Sequence, residues 1–130
     1  MRVALVLAGA VIVLAGCSRA VTGEAMAPPD TRPWADEDQI AEVVSQFEQA
    51  WNDREFDTLR GLMCAEMQSS DEFDEDALRE ARSESDRLKL QITELEVSGD
   101  SATAIIENNG DDPDDIVFQR EDDEWKWCEF

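Results

Sequence analysis

The side chains of this sequence that could do chemistry are carboxylates and thiols. Of its 130 residues 32 are Asp or Glu and 3 are Cys, with no His and no Tyr. Lacking histidine removes the commonest general base and the commonest metal ligand. Acid–base work would fall to carboxylates at nominally inward strand positions, and Glu94 and Glu107 are the candidates. A carboxylate desolvated there has a raised pKa and can take a proton. More often such a charge sits exposed at a sheet edge or in a bulge, so no catalytic residue is assigned. Two acidic runs, Asp71-Glu72-Phe73-Asp74-Glu75-Asp76 and Asp111-Asp112-Pro113-Asp114-Asp115, offer the hard oxygens that calcium prefers. Neither has the alternating spacing, central glycine and closing glutamate of an EF-hand loop, so both read as solvated loops. No metal and no cofactor is expected. No nucleophile motif and no phosphate-binding loop is present.

The net charge of −21 excludes whole classes of partner. Nucleic acid needs a cationic surface against its phosphates, and an anionic lipid surface needs basic patches. The chain still folds on these numbers, because 42% of it is apolar and the apolar residues fall in periodic runs.

The first cysteine belongs to a different kind of segment. Val3 to Ala15 is an apolar run preceded by Arg2. Its length as a helix is about 20 Å, short of the roughly 30 Å hydrocarbon core of a bilayer. A short apolar run after a positive start reads as a signal-peptide core. It ends in Leu14-Ala15-Gly16-Cys17, which resembles the lipobox of bacterial lipoproteins. The resemblance implies cleavage before Cys17 and a diacylglyceryl group on its thiol. Small residues before the cut let the backbone enter a protease cleft. An ordinary cleaved signal peptide and an uncleaved membrane helix are the alternatives. Two acyl chains make a stable anchor. Residues 1–16 are thus expected to be a signal peptide and residues 17–33, rich in small residues and proline, a flexible tether. Residues 34–130 are the expected domain.

The elements that must position everything else follow from periodicity. Ile40, Val43, Val44, Phe47, Ala50 and Trp51 recur at helical spacing after Asp36-Glu37-Asp38-Gln39, so a helix is expected with Asp36 as its cap, stopping near Asn52-Asp53. Asp57 can cap a short second helix carrying Leu59, Leu62 and Met63, with Cys64 near its end. An acidic loop over 69–76 leads to a third helix over 74–85. From Leu88 the period changes to two. Leu88, Leu90 and Ile92 alternate on one parity, Leu95 and Val97 on the other, which requires an extra residue near Thr93-Glu94, a β-bulge. Turns at Ser98-Gly99-Asp100 and Glu121-Asp122-Asp123, and a loop over 108–115, divide the rest into strands over 102–107, 116–120 and 124–129. Helices first and a strand meander after make the fold class α+β, with helices on one face of an antiparallel sheet.

This order is similar to the nuclear transport factor 2-like (NTF2-like) superfamily, and in particular to actinobacterial NTF2-like lipoproteins. The matching stretches are Phe47-Glu48-Gln49-Ala50-Trp51-Asn52 with Phe56-Asp57-Thr58-Leu59, then Val97-Ser98-Gly99-Asp100-Ser101-Ala102-Thr103-Ala104, then Trp125-Lys126-Trp127-Cys128. The resemblance implies a cone: three N-terminal helices on a curved antiparallel sheet of about four strands, with a pocket at the wide end. Phe47, Trp51, Glu94 and Glu107 are the candidate pocket residues. In such lipoproteins a cysteine ending the second helix and one in the last strand recur together. With Cys17 taken by lipid, Cys64 and Cys128 remain to pair in an oxidising compartment. Two unpaired buried thiols are the alternative.

A strand sends neighbours to opposite faces. If Cys128 reaches the helical side, Trp125 and Trp127 point the other way and form an exposed apolar interaction face. If the strand end is irregular or twisted, the two rings are core. The expected function is therefore a non-enzymatic binding or protein-interaction module, lipid-anchored on the extracytoplasmic face of the cell membrane of a bacterial envelope. Its partners are the membrane through that lipid, and either a small apolar ligand or an envelope protein. A homodimer through the sheet face is a further option, and nucleic acid is not a partner. The competing expectation is a carboxylate-dependent isomerase or dehydratase.

Overall fold

The structure is a computed structural model and describes residues 35–129. The signal peptide, the tether and Cys17 lie outside the described residues. Helix α1 spans Asp36–Asp53 and carries the expected apolar stripe, with Ile40, Val44 and Ala50 buried. Ala35, not Asp36, holds the N-cap position and makes no side-chain cap. Asp36 instead turns to the sheet. Its Oδ1 accepts from the Arg120 guanidinium and from the Trp125 indole Nε1 at 3.2 Å. Arg120 also lies over the Trp125 ring, 4.7 Å from its centroid. One carboxylate thus pins the start of α1 to the far end of the sheet. Asp36→Ala is expected to cost about 1–2 kcal/mol, since it strands a half-buried guanidinium and an indole donor. A change below about 0.5 kcal/mol in urea unfolding would show the contact to be idle.

Helix α2 is Phe56–Gly61, with Glu55 at its N-cap and Asp57 in its first turn. Asp57 therefore favours the helix through the dipole rather than by capping. Leu62 closes the helix as its C-cap, still in helical conformation, and the chain leaves the helix at Met63 and Cys64. This segment runs beside the last strand: the Trp127 N–H donates to the Leu62 carbonyl and the Cys64 N–H to the Trp127 carbonyl, both at 2.8 Å. A four-residue helix α3, Ala65–Gln68, and a 3-10 turn, Asp71–Phe73, occupy much of what the sequence presents as loop. Both are too short to show a period. Helix α4, Glu75–Glu84, lies where the third helix is expected and is capped by Asp74, whose Oδ1 accepts from the Ala77 N–H at 2.8 Å.

Strands β1 (Leu90–Ser98), β2 (Ser101–Asn108), β3 (Asp114–Glu121) and β4 (Glu124–Trp127) form one antiparallel sheet in the order β1-β2-β3-β4. The register slips between Ile92 and Glu94, which is the expected bulge, and it keeps Ile92 and Leu95 on the same face. Asp122 and Asp123 both adopt positive φ (51° and 66°), closing the β3–β4 hairpin as a two-residue turn of the primed kind. The sheet enters at Leu90 rather than Leu88, because the Asn52 side chain holds both the N–H and the carbonyl of Leu88 at 2.8 Å. Next to it, Glu48 Oε2 accepts from the Leu90 N–H at 2.7 Å. Two polar residues of α1 thus fix the first strand against the helix.

The core lies between the helices and the sheet face bearing Ala102, Ala104, Ile106, Ile116, Phe118, Trp125 and Trp127. The disulfide joins Cys64 to Cys128, with Cα atoms 5.2 Å apart. Both tryptophans are core, 3% and 5% exposed, so the exposed interaction face expected of Trp125 and Trp127 does not exist. The alternation rule holds; the premise about Cys128 does not. Cys64 sits in the chain segment paired laterally to β4, the bridge being Met63 to Trp127. The disulfide therefore runs along the sheet edge. Met63 and Trp127 share the helical side of that bridge, leaving the opposite parity to the cysteines.

Candidate functional site

A cavity of about 350 Å³ opens between the helices and the sheet. That is within the ordinary range for a small-molecule site, roughly 300–1,000 Å³. Its buried floor is apolar: Leu59, Met63, Met67, Leu78, Ile106 and Ile116. Phe47, Trp51, Phe73 and Trp127 add an aromatic wall. Phe47 and Trp127 stack with centroids 4.1 Å apart and planes at 15°, while Phe118 meets Trp127 edge-on at 5.4 Å. The Trp51 indole N–H is buried without an acceptor, one unspent donor in this wall. Exposed Glu72, Asp114 and Glu129 carry the polar rim, with Asn108 beside them.

Each rim residue is placed by its element. Asp114 pairs with Ile106 at the end of the inward-facing file of β3, and Asn108 pairs with Leu90 at the end of β2. Glu72 comes from the 3-10 turn. Glu129 follows the disulfide: its N–H donates to Met67 Sδ at 3.2 Å, and its Oε2 accepts from the Trp127 indole Nε1 at 3.3 Å. Though the residue reaches solvent, partial desolvation of its carboxyl beside Trp127 pushes the Glu129 pKa up, the indole hydrogen bond opposes this, and the charge of Asp114 adds to the rise.

Two of the four candidate pocket residues are brought together here, Phe47 and Trp51. Glu94 and Glu107 are not part of the cavity. Glu94 pairs with Ile105 and Glu107 with Gln91, positions on the outer face of the sheet. The bulge restores Leu95 to the inner face by sending Thr93 and Glu94 outward together, and Glu107 follows inward Ile106. The sequence does not single out Met67 and Glu129, places Met63 only on the second helix, and presents Asp114 as part of a solvated acidic loop. The two methionines lie in irregular chain or a one-turn helix, and Glu129 reaches the cavity only through a disulfide whose side of the sheet no period reveals. Among the described residues no cluster of His, Cys, Asp and Glu could hold a metal ion, and no helix is long and apolar enough to cross a membrane.

No family model matches the chain, and no curated protein matches it. Solved structures do. An NTF2-like protein of unknown function from Shewanella oneidensis superposes with a TM-score of 0.50 at 20% identity, over 72% of this chain and 94% of that one. A candidate dehydratase of the NTF2-like family from Streptomyces avermitilis gives a TM-score of 0.47 at 19% identity, over 77% and 93%. The chain thus has the NTF2-like fold: helices packed on a curved, open antiparallel sheet of four strands, of class α+β.

Proposed function

We propose that this chain is a non-enzymatic binding module that takes a small apolar molecule into its cavity, anchored by lipid on Cys17 at the extracytoplasmic face of a bacterial cell membrane. The single observation that carries the binding role is the cavity of about 350 Å³ with an apolar floor and an aromatic wall. A protein of this size closes such a space readily with larger side chains, so an open one favours an occupant. The anchor rests on the sequence of residues 1–33. The Cys64–Cys128 disulfide supports the same compartment, since such bonds persist outside the reducing cytosol. Protein partners would meet the outer face of the sheet, where Glu94, Glu96, Glu107 and Asp115 stand against Lys126. A homodimer through that face would set like charges opposite one another, which favours the ligand in the cavity over self-association.

A carboxylate-dependent isomerase or dehydratase is the second reading. Glu129 favours it, as a carboxyl of raised pKa beside a cavity is a candidate general base. With no Tyr and no His in the chain, a paired acid would have to be another carboxyl such as Asp114. Binding without chemistry asks less of these residues.

Titration with the neutral fluorophore N-phenyl-1-naphthylamine tests the binding role. Saturable one-to-one binding with Kd below about 100 µM is expected. Ala81→Trp, which puts an indole into the cavity from an exposed position of α4, should weaken it by about tenfold or more. Partitioning without saturation, or indifference to Ala81→Trp, overturns this role. The anchor is read from the intact mass of the cell-derived protein. A chain beginning at Cys17 and carrying a diacylglyceryl group supports it, and an unmodified chain beginning at Met1 refutes it.

A further inference from the structure

The geometry points to an organic cation as the ligand class of the cavity: a small molecule with an apolar body and an ammonium or quaternary ammonium head. This rests on the cavity being a binding site, and it adds the charge that the site selects.

Among the described residues the carboxylates at the mouth have no ion pair with a basic side chain. Among the described residues, Arg79 pairs with Glu75 and Asp76, Arg120 with Asp36 and Asp100, and Lys126 with Glu124. Glu72, Asp114 and Glu129 have no such pair, and no Lys or Arg lines the cavity. Arg82 is buried in the same layer, but its Nε and Nη1 donate to the carbonyls of Trp51 and Ser85. In a chain of charge −21 unpaired carboxylates are common, so the rim by itself says little. The wall behind it is what makes the combination specific. The face of an aromatic ring attracts a cation through its quadrupole, more strongly where water is excluded. Phe47 and Trp127 stack on each other, and Trp51 and Phe73 line the same space with no ring stacked on them among the described residues, bordered by the carboxylates.

The three ligand charges then separate physically. An anion meets repulsion from the rim and no donor cluster to offset it. A neutral apolar molecule gains from burial alone. A cation with an apolar body gains from burial, from the ring faces and from the carboxylates. Its head need not be stripped of all water, because Glu72, Asp114 and Glu129 are exposed at the opening.

The test uses the full chain in calorimetric titrations at low salt, with four probes: benzyltrimethylammonium, its uncharged carbon counterpart neopentylbenzene, phenylacetate and tetramethylammonium. Benzyltrimethylammonium is expected to bind at least about tenfold more tightly than each of the others. The paired substitution Asp114→Asn with Glu129→Gln should cut that advantage below about threefold, and Glu72→Gln, on a separate element, should reduce it in the same direction. Glu94→Gln with Glu96→Gln on the outer face should leave it unchanged. The cation proposal is overturned, with the cavity as a binding site intact, by neopentylbenzene or phenylacetate binding as tightly as the cation. It is overturned equally if the outer-face pair lowers cation affinity as much as the rim pair, since general acidity then holds the ligand. Saturable binding by none of the four overturns both the cation proposal and the binding role.

Discussion

Breaking the Cys64–Cys128 disulfide is expected to lower the stability of the domain by about 4 kcal/mol. The bond spans 64 residues of sequence, and closing a loop of that length removes this much conformational freedom from the unfolded chain on the chain-entropy argument. Small domains have only about 5–15 kcal/mol in total, so the loss is a large share. For a domain of roughly this size it corresponds to a fall in the melting temperature of about 20 °C. The bond has a local effect as well. It holds the segment Leu62–Cys64 beside β4, to which a pair of 2.8 Å backbone hydrogen bonds joins Leu62 and Cys64 through Trp127. Met63 and Met67, in the cavity floor, flank Cys64, and Glu129, on its rim, follows Cys128. Reduction should therefore loosen one wall of the cavity before the rest of the fold. Thermal unfolding with and without reductant, together with Cys64→Ala/Cys128→Ala, measures the effect. Cys64 and Cys128 should also resist alkylation in denaturant until reduced. A melting temperature that moves by less than about 3 °C on full reduction sinks the expectation.

Trp127→Ala is expected to cost about 3–5 kcal/mol, the range for truncating a buried large aromatic residue. The ring is 5% exposed, stacked on Phe47 of α1 and edge-on to Phe118 of β3. It thereby joins a helix to two strands, and its removal leaves a hole continuous with the cavity. Trp127→Phe keeps an aromatic face but loses the indole donor to Glu129, so about 1–2 kcal/mol is expected. Urea unfolding with an unchanged m-value separates lost stability from a changed unfolded state. This substitution also decides between two arrangements of the same sequence. A ring on an exposed sheet face would give less than about 0.5 kcal/mol on truncation. The effects of Trp127 and of the disulfide should not add, because Trp127 and Cys128 are neighbours and Trp127 is hydrogen-bonded to both sides of Met63.

Periodic signals carried most of the fold. The apolar stripe of α1 and the change from period 3.6 to period 2 near Leu88 are each local, so each is visible in a linear string. The parity switch between Ile92 and Leu95 located the bulge for the same reason: burial of one sheet face leaves a record at every second residue. Phe47 and Trp51 entered the candidate pocket because they sit on that helical stripe.

The candidate site was legible only in part. Asp36 looks like a helix cap in the sequence, but a carboxylate can serve a helix end or a distant Arg120 and Trp125 equally well. Glu94 sits at the bulge, and counting on from Ile92 places it inward when the paired register turns it outward, whereas Glu107 follows inward Ile106 in β2, where simple alternation already turns it outward. The rim residues Asp114 and Glu129 come from chain ends of strands, where the side-chain period stops carrying information.

By itself, the sequence determined the order of the longer elements, the bulge, the absence of histidine and tyrosine side chains and a strongly acidic charge. These depend on composition and on local spacing, which a chain carries before it folds. Tertiary structure alone decided that Trp125 and Trp127 are core and that the carboxylates ring an aromatic cavity. The reason is that Cys64 lies beside β4 rather than over it. Whether a residue is beside a strand or above it depends on which segments pair laterally, and lateral pairing across more than sixty residues leaves no period in the sequence.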